Sequence, residues 1–329
     1  MVNKLINFKF QIFICLPRKW KLCLLGYQIQ NLAKLFAYLV IGLFVLPGAV
    51  RAQEISLSIS PPITELTIQP GRSYDQIFTL RNDGTPVIIG PKIVLFIPLD
   101  RLGHAELIED KNSIDAFAPW FYFDQTPVSL GTGGSHNFIV RITPPPGTSE
   151  KDYYFTFIAE VQNDNNLGVN NSQAQARIGA NILVSISKDG DPNKKASILS
   201  FSALRIIDSF TGLTYKILIG NSGSSFFKPT GKITIDQIFG STTTLNLTPL
   251  NILVGGSREI TCIQSEEIIP CKLPGKFLVG IYRANLSFTI DDAGESIEKQ
   301  IYTIAFPFSI VLGLITIFII YRMIRKLTS

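Results

Sequence analysis

The chain has 329 residues, room for two or three ordinary domains. Hydrophobic residues make up 46% and charged residues 17%, which excludes a disordered, collagen-like or highly charged nucleic-acid-binding chain and points to a membrane-embedded part. The net charge of +5 is unevenly spread: residues 1–52 carry seven basic and no acidic side chains, and the last eight carry Arg322, Arg325 and Lys326. The middle is left with 20 basic against 25 acidic groups.

In chain order, the basic N-terminus runs into twelve apolar residues, 35–46, broken by Pro47 and Gly48 and followed by Val50-Arg51-Ala52. Small residues at both cleavage-site positions before Gln53 complete the order of a secretory signal peptide over 1–52. Twelve apolar residues are too few to span about 30 Å of hydrocarbon; an uncleaved N-terminal anchor is the rival reading.

From Gln53 to Gln300 there is no helical period. Short runs of Val, Ile, Phe, Thr and Tyr alternate with Gly, Pro, Asn and Asp, which predicts strands. They fall at 55–60, 74–81, 93–97, 137–143, 153–161 and 178–187, then at 215–219, 232–235, 243–247, 259–263, 277–281 and 284–290. This spacing predicts an all-β chain of two tandem immunoglobulin-like β-sandwiches, 53–193 and 194–298, joined at the polar stretch 188–195. Residues 301–321 carry no charge, enough for roughly 31 Å of helix, with Pro307 in the first third of the run as a potential kink. Basic residues close it, which predicts a single transmembrane helix, a cytoplasmic tail at 322–329 and an extracellular body.

The two halves repeat. Arg81-Asn82-Asp83-Gly84 ends a strand in the first half and Gly220-Asn221-Ser222-Gly223 does so in the second. Gly133-Gly134-Ser135 and Gly255-Gly256-Ser257 follow in the same order. Asn-x-Gly and Gly-Gly-Ser both suit turns between strands.

Cys15 and Cys23 leave with the signal peptide, so Cys262 and Cys271 are the pair that remains. In an exported protein they read as a local disulfide, against two free thiols. A zinc site would need two more ligands, and His104 and His136 lie in the other domain. Neither histidine belongs to a nucleophile or metal motif, so no catalytic residue, metal or cofactor is expected. Asp189, Asp191 and Asn193 open like a calcium loop, but Lys194 replaces the turn glycine and Ser200 the bidentate Glu.

The cluster Phe117-Ala118-Pro119-Trp120-Phe121-Tyr122-Phe123 has two readings. Trp120 and Tyr122 form an aromatic binding platform, or Trp120 is a core residue and Phe121 and Phe123 alternate onto one face.

Ile68-Gln69-Pro70-Gly71, a strand ending at Asn82, Trp120, Val128-Ser129-Leu130, Gly134-Ser135 and Ile142-Thr143-Pro144-Pro145 occur in this order. The series resembles the first extracellular domain of the WxL-interacting cell-surface proteins of Gram-positive bacteria. That family has a signal peptide, two immunoglobulin-like domains and a C-terminal membrane helix with a basic tail. The resemblance implies peptidoglycan as the ligand of the first domain and a WxL-domain protein as the partner of the second. The cysteine pair departs from it. The expected function is a non-enzymatic, single-pass cell-membrane scaffold that engages cell-wall polymer or another surface protein, without nucleic acid. The alternative is a membrane-tethered assembly chaperone of the pilus type, which would need a long unpaired edge strand.

Overall fold

The computed structural model describes residues 55–328 apart from 163–175, 239, 265, 276, 291–293 and 295, so the signal-peptide segment 1–52 lies outside the described residues. Domain 1 is built from β1 (Leu57–Ser60), β2 (Ile63–Ile68), β3 (Tyr74–Asn82), β4 (Val87–Pro98), β5 (Ala105–Ile108), β6 (Phe121–Tyr122), β7 (Val128–Leu130), β8 (Ser135–Ile142), β9 (Asp152–Gln162) and β10 (Arg177–Ile186). One sheet has the order β1-β3-β8-β6. It faces a second, β2-β10-β9-β4-β5, with β7 also paired to β4.

Alternation sets the faces. Phe138, Val140 and Ile142 of β8 point inward and are buried, while the residues between them face solvent or its margin. They meet Phe155 and Phe157 of β9, and the Phe78 and Phe157 rings stack at 5.0 Å. A five-residue helix at Lys111–Asp115, which the sequence does not signal, starts where Asp110 accepts from the Ser113 backbone N–H.

Domain 2 comprises β11 (Ala196–Ser202), β12 (Ile206–Asp208), β13 (Leu213–Thr214), β14 (Lys216–Asn221), β15 (Thr230–Gln237), β16 (Thr242–Leu247), β17 (Ser257–Glu259), β18 (Cys262–Gln264), β19 (Glu267–Ile269), β20 (Lys272–Leu273), β21 (Gly280–Thr289) and β22 (Ile297–Phe306). Its sheets are β11-β14-β17, β12-β22-β21-β15-β16-β18-β19 and the pair β13-β20. The single strand expected at 259–263 is two strands, because the chain changes sheets there: Ile260 donates to Ile217 of β14 and Thr248 to Thr261. The run at 277–281 is strand only from Gly280, since Phe277 has φ 77°.

Both domains split their first strand between sheets. β1 pairs antiparallel with β3, then Pro61 and Pro62 intervene and β2 pairs parallel with β10. β11 pairs antiparallel with β14, and β12 pairs parallel with β22.

The repeated motifs meet in space and make the same bonds. The buried Asn82 amide donates to the Thr85 and Leu130 carbonyls, and its Oδ1 accepts from the Gly84 N–H. Asn82 and the glycine pair also exchange backbone bonds, with Gly133 donating to Asn82 and Asn82 to Gly134. In domain 2, Asn221 donates to Ser225 and Ile252 and accepts from Gly223, with Gly255 and Gly256 in the partner roles. Gly133 and Gly255 have φ of 75° and 70°, in the left-handed region where a side chain is strained.

The C-terminal helix is Phe308–Thr328, not 301–321. Residues 301–306 belong to β22, with Thr303 and Ala305 buried and Tyr302, Ile304 and Phe306 exposed. A charge-free run cannot mark the boundary between strand and helix; Pro307 does, since it cannot donate to a ladder yet suits a helix start, and it kinks nothing. Arg322, Arg325 and Lys326 lie in the helix's last turns. At the helix start the Ser309 backbone N–H and hydroxyl donate to Asp208 of β12, at 2.8 and 3.0 Å, and the backbone bond holds this carboxyl below the usual carboxylate range.

Asn82→Ala leaves buried carbonyls without donors, each worth about 1–3 kcal/mol. Urea unfolding of the full chain should show a lower midpoint for Asn82→Ala and for Asn221→Ala alike. A midpoint unmoved in either variant would deny that asparagine its bracing role.

Candidate functional site

Three residues after the short helix, a 3-10 turn at Ala118–Trp120 with Pro119 inside it carries the aromatic cluster towards β9. Trp120 is 6% exposed. Its ring lies 4.7 Å from that of Tyr153, 5.4 Å from Phe117 and 5.8 Å from Phe155. Phe121 packs edge-on to Phe155 and Phe123 to Phe157. Tyr122, between them, is 78% exposed. The cluster is therefore a core element with one ring outside, and the two residues proposed together as a platform face opposite ways.

The same segment leaves a gap. It starts in β6 on one sheet and ends in β7 on the other, so it crosses the open side of the sandwich. β9 pairs with β4 from Ile88 to Leu95. On its other edge β4 pairs with β7 only at Val87–Ile89 and with β5 only at Leu95–Pro98. Residues 90–94 thus have no strand partner on that edge among the described residues. A cavity of ≈ 270 Å³ opens beside them, lined by Pro91, Ile93, Phe117, Phe121, Phe123 and Phe155. Gln125 and Asp115 supply polar groups at its wall. On the outer face of β4, Lys92 pairs with Glu109 at 3.1 Å and Glu160 at 2.9 Å, and Arg177 also bonds Glu109. These donors hold the Glu109 carboxyl below its usual range and tie β4, β9 and β10 together around the notch.

A polar joint connects the domains. Asp152, at the start of β9, accepts from the Tyr154 hydroxyl at 2.8 Å, the Ser185 hydroxyl at 2.7 Å and the Phe226 backbone N–H of domain 2. The Tyr154 hydroxyl in turn accepts from Val254 N–H. Phe96, Leu183 and Phe226 form an apolar cluster beside it, joined by Leu253. At its margin Glu65 accepts from Asn251 and pairs with Lys228, and Arg101 accepts from the Glu259 N–H. Burial pushes the Asp152 carboxyl above its usual range and the Tyr154 phenol far above its own.

The other singled-out residues are structural. Cys262 and Cys271 form a disulfide and are both buried, closing the β18–β19 hairpin. A loop this short gains about 2–3 kcal/mol in the chain-entropy model. His104 bonds Asp100 at the tip of the β4–β5 hairpin, where Asp100 also accepts from three backbone N–H groups and is drawn down to about 2. His136 lies on β8 against the Phe138 ring. Asp189 accepts from Ser187 and the Asp191 N–H, a turn within the linker. Among the described residues no three His, Cys, Asp or Glu side chains converge on one point.

No family model matches the chain, and no curated protein matches it. Solved structures similar to it include pilus chaperones and a PapD-like domain of human CEP192. The class 5 fimbriae chaperone CfaA is 11% identical over 76% of this chain and 99% of that one, with a TM-score of 0.37. The E. coli chaperone DraB is 13% identical over 75% and 98%, with 0.35. The Pseudomonas aeruginosa CupB2 chaperone is 9% identical over 73% and 97%, with 0.33. Likeness this distant says nothing of activity or partner.

Trp120→Ala should cost about 3–5 kcal/mol, whereas Tyr122→Ala should change stability by no more than about 0.5 kcal/mol. Thermal unfolding of the two variants tests this, and equal effects would place Trp120 outside the core. Asp152 gives a pH signature. A folded pKa raised above the unfolded value stabilises the fold fully at low pH and loses that contribution as pH rises through it. The stability advantage of the wild type over Asp152→Asn should therefore be largest near pH 4 and shrink towards neutrality. An advantage that grows with pH would refute the buried-carboxyl account.

Proposed function

We propose that this chain is a membrane-anchored binding protein that holds an extended segment of a partner protein at the open edge of β4. The observation that supports this reading is the coincidence of an unpaired strand edge with an aromatic cavity beside it. Strand addition uses these two parts: main-chain bonds give affinity, and pockets for alternate side chains give specificity. A cavity near 270 Å³ suits one large apolar side chain and falls below the roughly 300–1,000 Å³ of small-molecule sites. Pro91 sits in the middle of the edge and offers no N–H, which guards it against indiscriminate sheet-to-sheet pairing.

Of the two partners expected from the sequence, a protein fits this geometry better than cell-wall polymer. Stacking on sugars needs exposed ring faces, and Tyr122 alone of the 117–123 cluster offers one. The reading stands closer to a tethered assembly chaperone than to a wall-binding scaffold, because an edge held open is what a chaperone requires. Binding without catalysis is part of the proposal, supported by the structural roles of His104 and His136. So are an extracellular body, a single spanning helix within Phe308–Leu327, which is long and apolar enough to cross a membrane, and kinship with the WxL-interacting proteins on the motif order above.

A photo-crosslinking residue at Gln125 should capture a discrete protein on intact cells, and one at Gln300 of domain 2 should not. Tyr122→Ala should leave that capture unchanged. Equal capture at both positions, or co-sedimentation with purified wall polymer that Tyr122→Ala abolishes, would overturn the reading.

A further inference from the structure

The outer face of β22 and its neighbours changes character in steps along the strand. Ile304 stands opposite Ile206 of β12 and Ile281 of β21, and the three are 45%, 57% and 42% exposed. Ile238, whose N–H bonds the Ile281 carbonyl, continues this row at 42% exposed. Two residues nearer the helix, Phe306 is exposed and its ring lies 5.2 Å from that of Phe308. Two residues further away, Tyr302 stands opposite Arg283, which pairs with Asp236. Beyond them come Gln300 opposite Asn285 and Glu298 opposite Ser287. The order from the helix upward is apolar, then aromatic with cation, then polar, with one carboxylate at the helix end, Asp208 opposite Phe306, which is occupied by the Ser309 backbone N–H and hydroxyl.

Two loops extend the apolar end around the helix start. Ser209 N–H bonds the Phe306 carbonyl and Leu278 N–H bonds that of Ser209. They place Phe210 and Phe277 side by side, ring centroids 5.3 Å apart, both about half exposed. Phe277 holds this position at φ 77°, a left-handed conformation that is uncommon for a bulky residue.

We propose that this base of domain 2 is a foot that sits in the lipid, with its apolar row at the edge of the hydrocarbon and Tyr302 and Arg283 among the headgroups. The inference rests on the reading of the C-terminal helix as a membrane span. Length is the second argument. The helix as a whole is long enough to span, but its uncharged part runs only the fourteen residues from Phe308 to Tyr321 before Arg322, about 21 Å at ~1.5 Å per residue. The hydrocarbon layer is about 30 Å thick. Snorkelling of Arg322 extends the far end by part of the difference, and the near end must supply the rest. β22 enters the helix through Pro307 alone, so Ile304 lies within about 13 Å of the helix start, Phe308, at ~3.3 Å per strand residue. That is the depth that the shortfall and the headgroup layer together cover. Aromatic and basic side chains above an apolar band are the arrangement that membrane interfaces favour. A second copy or a partner protein would cover the apolar row equally well but would explain neither the stepwise order nor the short span.

The test uses the full chain reconstituted in phosphatidylcholine vesicles, with tryptophan placed by Ile281→Trp and, in separate variants, Ile304→Trp and Ser287→Trp, and the wild-type emission subtracted. With lipids brominated in the upper acyl chain, Trp at 281 and at 304 should lose most of its emission and resist aqueous iodide. Trp at 287 should keep its emission with bromolipid and lose it with iodide. Protein that floats with vesicles but shows no bromolipid quenching at 281 and 304 would overturn the foot alone. Shielding of these positions from iodide without lipid quenching would assign the row to a protein and also overturn it. Failure of the protein to float would overturn the spanning reading and the foot with it.

Discussion

Two buried asparagines carry the architecture. Each ends a strand, Asn82 in β3 and Asn221 in β14, and its side chain substitutes for a partner strand where the chain must turn. One amide satisfies carbonyls from two separate loops while its oxygen caps the turn that follows. Buried backbone groups left unpaired would cost more than a domain of this size can spare. The glycine pair is drawn in against each asparagine, and that fixes how the two sheets approach each other at one end of the core. The strand switch does the complementary task, since the first strand bonds to both sheets in turn and closes a corner that would otherwise be an edge.

With both sandwiches braced in the same way, the differences between them are the informative part. Domain 1 spends its crossing segment on rings that fill the core from the side and leave a five-residue stretch of β4 bare. Domain 2 instead carries a disulfide-closed hairpin at the end of a seven-stranded sheet, and it places exposed apolar surface at the chain's helical end. The joint between them is polar at its centre. Asp152 satisfies its hydrogen bonds from both domains, so the two sandwiches are held in one arrangement by groups that lose their partners if they separate.

The sequence makes the braces legible because they are short-range: Asn-x-Gly and Gly-Gly-Ser each name a backbone conformation, and their common order in both halves names the fold. Trp120 is legible as a core residue for a similar reason, with alternating phenylalanines beside it. What escapes the sequence depends on distant pairing. The bare edge of β4 exists only because β7 and β5 take its two ends, and neither run of residues states its partner. Asp152 looks like any acid at a strand start. The boundary at Pro307 is hidden because strand and helix there are equally free of charge. Hydropathy alone joins them into one segment, and the pleat of β22 separates them.

The continuity from β22 into the helix, locked by Asp208 on Ser309, also governs encounter. A sandwich on a flexible leash would search a volume set by the leash and meet its partner at an effective concentration that falls as the leash lengthens. Here the strand and the helix are joined by one proline, so under the proposed spanning helix no leash lies between the body and the bilayer. On that proposal the notch on β4 samples a thin layer above the membrane at a nearly fixed height and tilt. A partner emerging from the same membrane is met at high local concentration, and one arriving from solution gains nothing from the anchor.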